Sequence, residues 1–299
     1  MSFTVNMKTI VVATDLEGRS EAALEYARKL AGAYGARIVL AHGLDPMDYA
    51  AVETVPGKIL RRMPEQARSV LDEMVADLVR EGIHSHSEVR QGAVVDMLLD
   101  VIRQYKAGLV VVGTRGGQGA GPVAVGAIAE ALVRRAPCPV LAVAADWNAG
   151  AHRPVPGGPV LLAMDRNDSA RAAVDAASSL AEKFQRPLIV VHARTAAEAS
   201  AFLNPFATTL EEFGIGSTGA LTVRCVVKDG QPADAIPRAI SQFSPSILVV
   251  GVKRHSDTPG RHGTVFSLLA GSRAPVLCVP AEAAVEHRAA EADIAVEIG

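Results

Sequence analysis

Short runs of Val, Ile, Leu and Ala recur along this chain, separated by longer segments whose apolar residues return every three or four positions. Residues 9–13 (TIVVA), 109–112 (LVVV), 160–163 (VLLA) and 247–250 (ILVV) are of the first kind. They are apolar throughout rather than alternating, as strands must be when helices cover both faces of a parallel sheet. Ala23, Ala27, Leu30 and Ala31 are of the second kind, as are Ala173, Ala177, Leu180 and Ala181, and each set marks one face of a helix. The pattern predicts β-α-β-α-β-α-β-α-β in each half of the chain. The second helix is expected at about 64–81 in the first half and at about 196–213 in the second. With right-handed crossovers, the fold class is α/β: two tandem doubly wound parallel-sheet domains of five strands each.

The two halves repeat one another. Residues 8–44 (KTIVVATDLEGRSEAALEYARKLAGAYGARIVLAHGL) align with 158–194 (GPVLLAMDRNDSARAAVDAASSLAEKFQRPLIVVHAR), so that Asp15 and His42 stand as far apart as Asp165 and His192. Residues 89–113 match 227–251, and each copy closes on a Pro-flanked strand, PVLAVA at 139–144 and PVLCVP at 275–280. The organisation expected is a domain over 1–147, a Gly/Pro-rich linker over 148–157, a second domain over 158–281, and an acidic tail over 282–299.

Composition narrows the partners. Lys and Arg number 30 against 32 Asp and Glu, a net charge of −2, and neither half has a basic excess, so broad binding to nucleic acid is not expected. Aromatic residues are 4% of the chain, too few for base-stacking platforms. Three cysteines without a CxxC pair exclude a disulfide scaffold and a zinc finger. No apolar run is long enough for a membrane span, and MSFTVNMKTIVVATD has no secretory pattern, so a cytoplasmic protein is expected.

In an open parallel sheet, ligands bind beyond the carboxyl ends of the strands where the winding direction reverses. Two such ends carry informative residues in the first half. One is Ala13-Thr14-Asp15. The other is Val112-Gly113, followed by a glycine-rich loop and a helix that starts near Gly126 and ends in Arg134-Arg135. The amino end of that helix, with unpaired amides, is suited to an anion, and glycines let backbone amides approach a phosphate closely. The same glycines can equally serve turns, and Asp15 can equally satisfy turn or helix-start amides. GxxxxGK[ST], a strand-following GxGxxG and HExxH are all absent, which weighs against a P-loop NTPase, a dinucleotide dehydrogenase and a zinc protease.

At this loop the chain resembles the universal stress protein family in tandem form. Gly113, Gly116 and Gly126 match the family's signature of Gly, two residues, Gly, nine residues and Gly, but Ala127 stands where the family has Ser or Thr. The ATD at 13–15 and APCPVLAV at 136–143 resemble its first-strand end and closing strand. The resemblance implies a Rossmann-like domain of the adenine-nucleotide alpha hydrolase type and ATP as ligand, with Mg²⁺ as a possible companion. Carried over, Asp15 would contact the adenosine, with Ala13 and Thr14 beside it. The backbone at Gly43 would line the adenine, and Val112, Gly113, Gly116 and Gly126 would cradle ribose and phosphates. The amides near Ala127 and Ile128, with Arg115, would face the phosphates. Loss of the hydroxyl at Ala127 would weaken binding rather than abolish it.

The second half departs more. Asp165, Gly251 and Gly263-Thr264 keep outer parts of the pattern, but Arg254 replaces the second glycine in a shorter, more basic loop, so blockage is expected there. His42 and His192 read as structural strand-end residues. His84 and His86 lack a third ligand, so no metal site is expected. Cys138 and Cys278 read as small apolar groups in the closing strands. No nucleophile–base pair has catalytic spacing. The function implied is a nucleotide-responsive stress protein without rapid turnover, a homodimer or a pseudo-dimer whose closing strands pair across halves. Two alternatives stand beside it: a ligand-free interaction module with decayed sites, and a slow ATP hydrolase.

Overall fold

The computed structural model describes residues 7–16, 18, 20–45, 57–114, 125–145, 157–164, 170–194, 221–253 and 264–281. Two compact units emerge. The first runs β1 (Thr9–Ala13), α1 (Glu21–Tyr34), β2 (Arg37–Leu44), α2 (Gly57–Arg80), β3 (Ser85–Gln91), α3 (Val94–Gln104), β4 (Leu109–Gly113), α4 (Ala127–Arg135) and β5 (Val140–Val143). Its strands are all parallel, in the order β3-β2-β1-β4-β5. The second runs β6 (Val160–Ala163), α5 (Ala170–Lys183), β7 (Leu188–Arg194), β8 (Val223–Asp229), α6 (Pro232–Phe243), β9 (Ile247–Val252), α7 (Thr264–Gly271) and β10 (Val276–Pro280). Its strands are again parallel, in the order β8-β7-β6-β9-β10.

Each unit is therefore the doubly wound α/β domain that the hydrophobic pattern predicts. The chain winds outward from β1 through β2 to β3, then crosses back to β4 and β5. That reversal leaves a crevice between the carboxyl ends of β1 and β4, and of β6 and β9 in the second unit. The central strands are buried on both faces: Ile10, Val11, Val12, Val110 and Val111 are fully excluded from solvent, as are Leu161, Leu162, Leu248 and Val249. Each such side chain contributes about 1.5–3 kcal/mol relative to an exposed position. The sheet centre is accordingly a rigid base for the residues at its rim.

Helix α1 packs Ala23, Leu24, Ala27, Leu30 and Ala31 inward, on the face the spacing marked, and stops at Gly35, whose φ of +63° is left-handed. Its counterpart α5 ends the same way on Gln185, at φ +51°. The uniformly apolar reading fails at β3 and β8, each an outer strand, and holds for the others, β5 and β10 included. Strand β3 reads SHSEVRQ and is half-buried for most of its length, while β8 mixes half-buried with exposed positions. An edge strand has one neighbour instead of two, so it tolerates polar side chains and is protected by them. Helix α2 starts at Gly57 and carries Pro64 within it, where the sequence suggested a start at about 64. Proline is a common first helical residue, which explains the expectation, but here the helix extends past it at the cost of one backbone bond.

The helix expected at 196–213, the acidic tail over 282–299 and nearly all of the linker lie outside the described residues. Among the described residues no helix is long and apolar enough to cross a membrane.

Candidate functional site

The first crevice has one wall at the end of β1. The Thr14 amide donates to the Ala41 carbonyl (3.0 Å), extending the ladder one residue beyond the strand. The Thr14 carbonyl accepts from His42 Nδ1 at 2.8 Å, which makes Nδ1 the protonated ring nitrogen. His192 Nδ1 meets the Met164 carbonyl at 3.1 Å in the second unit. Both histidines thus tie the end of one strand to the end of its neighbour, as their structural reading requires. The Thr14 hydroxyl lies 2.8 Å from that of Ser20, and Ser20 Oγ donates to Asp15 Oδ1 at 3.0 Å. Asp15 therefore stands half-buried at the rim with one oxygen held by the hydroxyl that precedes α1.

The other wall is the end of β4. The Thr114 amide donates to the Val143 carbonyl at 2.9 Å, and the Thr114 carbonyl accepts from the Gly126 amide at 2.7 Å. The two ends of the glycine-rich loop are thereby brought together. Gly126 is buried and extended, and it is the N-cap of α4 without a side-chain capping bond. Ala127 and Ile128 follow it in the first turn, both exposed. Their amides carry the partial positive charge of the helix start, and Arg134 and Arg135 complement its opposite end. Arg134 is paired with Glu130 at 2.9 Å and Arg135 with Asp96 at 2.6 Å, so both are engaged away from the crevice.

The remaining expected residues sort by position. Ala13 and Val112 are buried in adjacent strands, and Gly113 is half-buried at the end of β4. Gly43 is half-buried in β2, where a Cβ would come within 2.7 Å of Met97 Cε and 3.1 Å of both Val94 methyls. Glycine there lets α3 sit close on the sheet, a packing reason that stands beside the one carried over from resemblance. Gly251 is the penultimate residue of the matching strand β9, and Thr264 opens α7, both half-buried. Arg115, Gly116, Asp165, Arg254 and Gly263 lie outside the described residues.

Sequence reasoning missed Ser20. The signal was present in the aligned copies: Thr14 and Ser20 of the first correspond to Met164 and Ala170 of the second. Cys278 is buried in β10. Burial pushes the Cys278 thiol up to about 12, so it stays protonated at neutral pH. Among the described residues no three His, Cys, Asp or Glu side chains come together as metal ligands.

Comparison with known proteins agrees with this architecture. The model of the universal stress protein family matches residues 6–144 and again 158–280. A universal stress protein of Thermus aquaticus is 33% identical over 138 residues, covering 46% of this chain and 98% of its own length. One of Mycolicibacterium smegmatis is 29% identical over 189 residues, 61% of this chain and 63% of that one. The crystal structure of a universal stress protein from Archaeoglobus fulgidus superposes over 92% of this chain and 99% of its own, with a TM-score of 0.72 at 19% identity, which supports the fold. With the family pattern matched twice and in tandem over most of its length, the chain belongs to the universal stress protein family.

Proposed function

We propose that the first copy binds ATP or a related adenine nucleotide across the crevice between β1 and β4, and that the bound nucleotide regulates the protein rather than being turned over. The observation that carries this reading is the pairing of two walls at one switch point. Asp15 is held by Ser20 on one side, and the Gly126 amide closes the loop at Thr114 on the other. A polyanion would lie over the first-turn amides of Ala127 and Ile128, where the helix field favours negative charge. The adenosine would reach toward Asp15, which can accept hydrogen bonds from a sugar hydroxyl or a base amine. Mg²⁺, where it takes part, would be held by the phosphate oxygens it accompanies.

Titration calorimetry with ATP tests this. Heat is expected for the wild-type protein, and Asp15→Ala should weaken it. Gly126→Arg should abolish it by filling the start of α4. An undisturbed signal in both variants moves the site elsewhere. No signal with wild-type protein leaves the ligand-free interaction module as the reading.

A further inference from the structure

The turn that carries Asp15 is held by hydroxyls in a fixed direction. The Ser20 hydroxyl donates to Asp15 Oδ1 at 3.0 Å, which commits its one proton. The Thr14 hydroxyl, 2.8 Å from Ser20 Oγ, must therefore be the donor in that contact. The oxygen of Thr14 in turn accepts the Leu16 amide at 3.2 Å. The order is Leu16 amide, Thr14 hydroxyl, Ser20 hydroxyl, Asp15 carboxylate, each donating to the next. Both Thr14 and Ser20 are buried, at 8% exposure, so these bonds are shielded from competing water.

The chain also holds a strained residue. Leu16 has φ +60°, a left-handed conformation that costs a residue with a Cβ about 1–2 kcal/mol. Gly18, at φ +78°, follows in the same turn. Strain of this kind persists where surrounding bonds over-determine the backbone, and it gathers at ligand sites. Here the over-determining bond is the Leu16 amide on Thr14 Oγ1. The second copy has Met164 and Ala170 at the matching positions, neither with a hydroxyl. Its strand end keeps the backbone bond, Met164 amide to Val191 carbonyl at 2.9 Å. The hydroxyls are thus unnecessary for the fold of this turn's root.

We propose that Thr14 and Ser20 are positioning residues for the nucleotide: their directed relay fixes the Asp15 carboxylate in the orientation that receives the adenosine, and the second copy carries neither hydroxyl in its sequence. The inference rests on the nucleotide reading of the first copy. A carboxylate already held spares the ligand the entropy of ordering it, which is gained as affinity.

The test is ATP calorimetry on full-length variants, with thermal unfolding alongside. Ser20→Ala should weaken ATP binding about tenfold, the scale of one charge-assisted bond, with little change in midpoint. Ser20→Thr keeps the hydroxyl and should restore affinity to within about threefold of wild type. The Asp15→Ala, Ser20→Ala double variant should bind no worse than Asp15→Ala alone, because Ser20 acts through Asp15. Thr14→Val, close in volume, should reproduce the Ser20→Ala loss, and Thr14→Ser should not. Unchanged affinity in Ser20→Ala and Thr14→Val, or losses that add with Asp15→Ala, overturns the relay while leaving the nucleotide reading intact. Absence of ATP heat in the wild-type protein overturns both.

Discussion

At the end of β1 the Thr14 amide bonds the Ala41 carbonyl and His42 returns to the Thr14 carbonyl. At the end of β6 Met164 and His192 repeat both bonds, at 2.9 and 3.1 Å. The turns ahead of α3 and α6 also agree, with Gly92 and Gly230 at φ +132° and +120° and their amides on Leu44 and Arg194. What differs is the side chains set on this shared frame. The first copy places two hydroxyls and a carboxylate at its switch point, and the second places Met164 and Ala170 at the hydroxyl positions. The frame is therefore separable from the chemistry at its rim, and a fold can be kept by backbone bonds while a site is built or lost by single side chains.

The largest expected effect concerns the frame and is confined to the second copy. Gly158 lies where an added Cβ would come within 2.1 Å of the Ser244 carbonyl and 2.9 Å of the Ser246 amide nitrogen. These are backbone atoms that cannot rotate away. Gly158→Ala should destabilise the protein by about 2–3 kcal/mol, read by denaturant titration. The first copy has Lys8 at the matching position, so Lys8→Ala should be near neutral; equal losses would show that the two frames are less alike than their registers suggest.

Next comes the rim of the first copy. Ala127→Ser returns a hydroxyl to the start of α4 beside Gly126, and should tighten ATP binding about tenfold, measured by calorimetry. No gain would mean that the backbone amides alone serve the phosphates.

How far these sites were legible in the chain follows from their physics. The rim position of Asp15 could be read because it follows closely on an uninterrupted buried strand, the clearest pattern in the chain. The closure of the loop at Thr114 and Gly126 was foreshadowed by glycine spacing, although Thr114 drew no attention, since its part is played by backbone atoms. Ser20 was hidden for a different reason. Its role depends on the left-handed turn at Leu16, and leucine does not announce a positive φ as glycine does. Strands β3 and β8 were misjudged because an outer strand is covered less than a central one, and which strands lie outermost emerges only with the strand order. Pro64 misled because one residue type serves both as a helix start and as a tolerated interior defect.

A smaller effect separates the two helix ends. Gly35 and Gln185 both end their helices in the left-handed region, but only glycine does so without crowding its Cβ. Gln185→Gly should stabilise the protein by about 1 kcal/mol, visible as a raised unfolding midpoint. Gly35→Gln should cost about the same, and an asymmetric result would locate further strain in one copy.

The smallest effect lies at the sheet edge, where Tyr105 of the first copy stands opposite Phe243 of the second in the aligned blocks. The Tyr105 hydroxyl donates to Glu88 Oε1, and Arg90 Nε reaches Glu88 Oε2 at 3.2 Å. Partial burial pushes the Glu88 carboxyl up, but the bonds from Tyr105 and Arg90 and the charges of Arg90 and His86 outweigh it, holding the group below its ordinary value. The same bond to Glu88, with partial burial and the carboxylate charge, pushes the Tyr105 phenol up. A carboxyl held low in the folded state adds stability above its unfolded pKa, and that stability fades as pH falls through the folded value. Tyr105→Phe removes one of the bonds that hold it low. The Glu88 titration followed by NMR should move upward, and the acid-side decline in stability should become shallower. At neutral pH the change should stay within about 0.5 kcal/mol, because the pair is only partly buried and water screens it. An unmoved Glu88 titration would mean that Arg90 and His86 hold the carboxylate without it, leaving the hydroxyl of Tyr105 without influence on the edge that Phe243 occupies in the other copy.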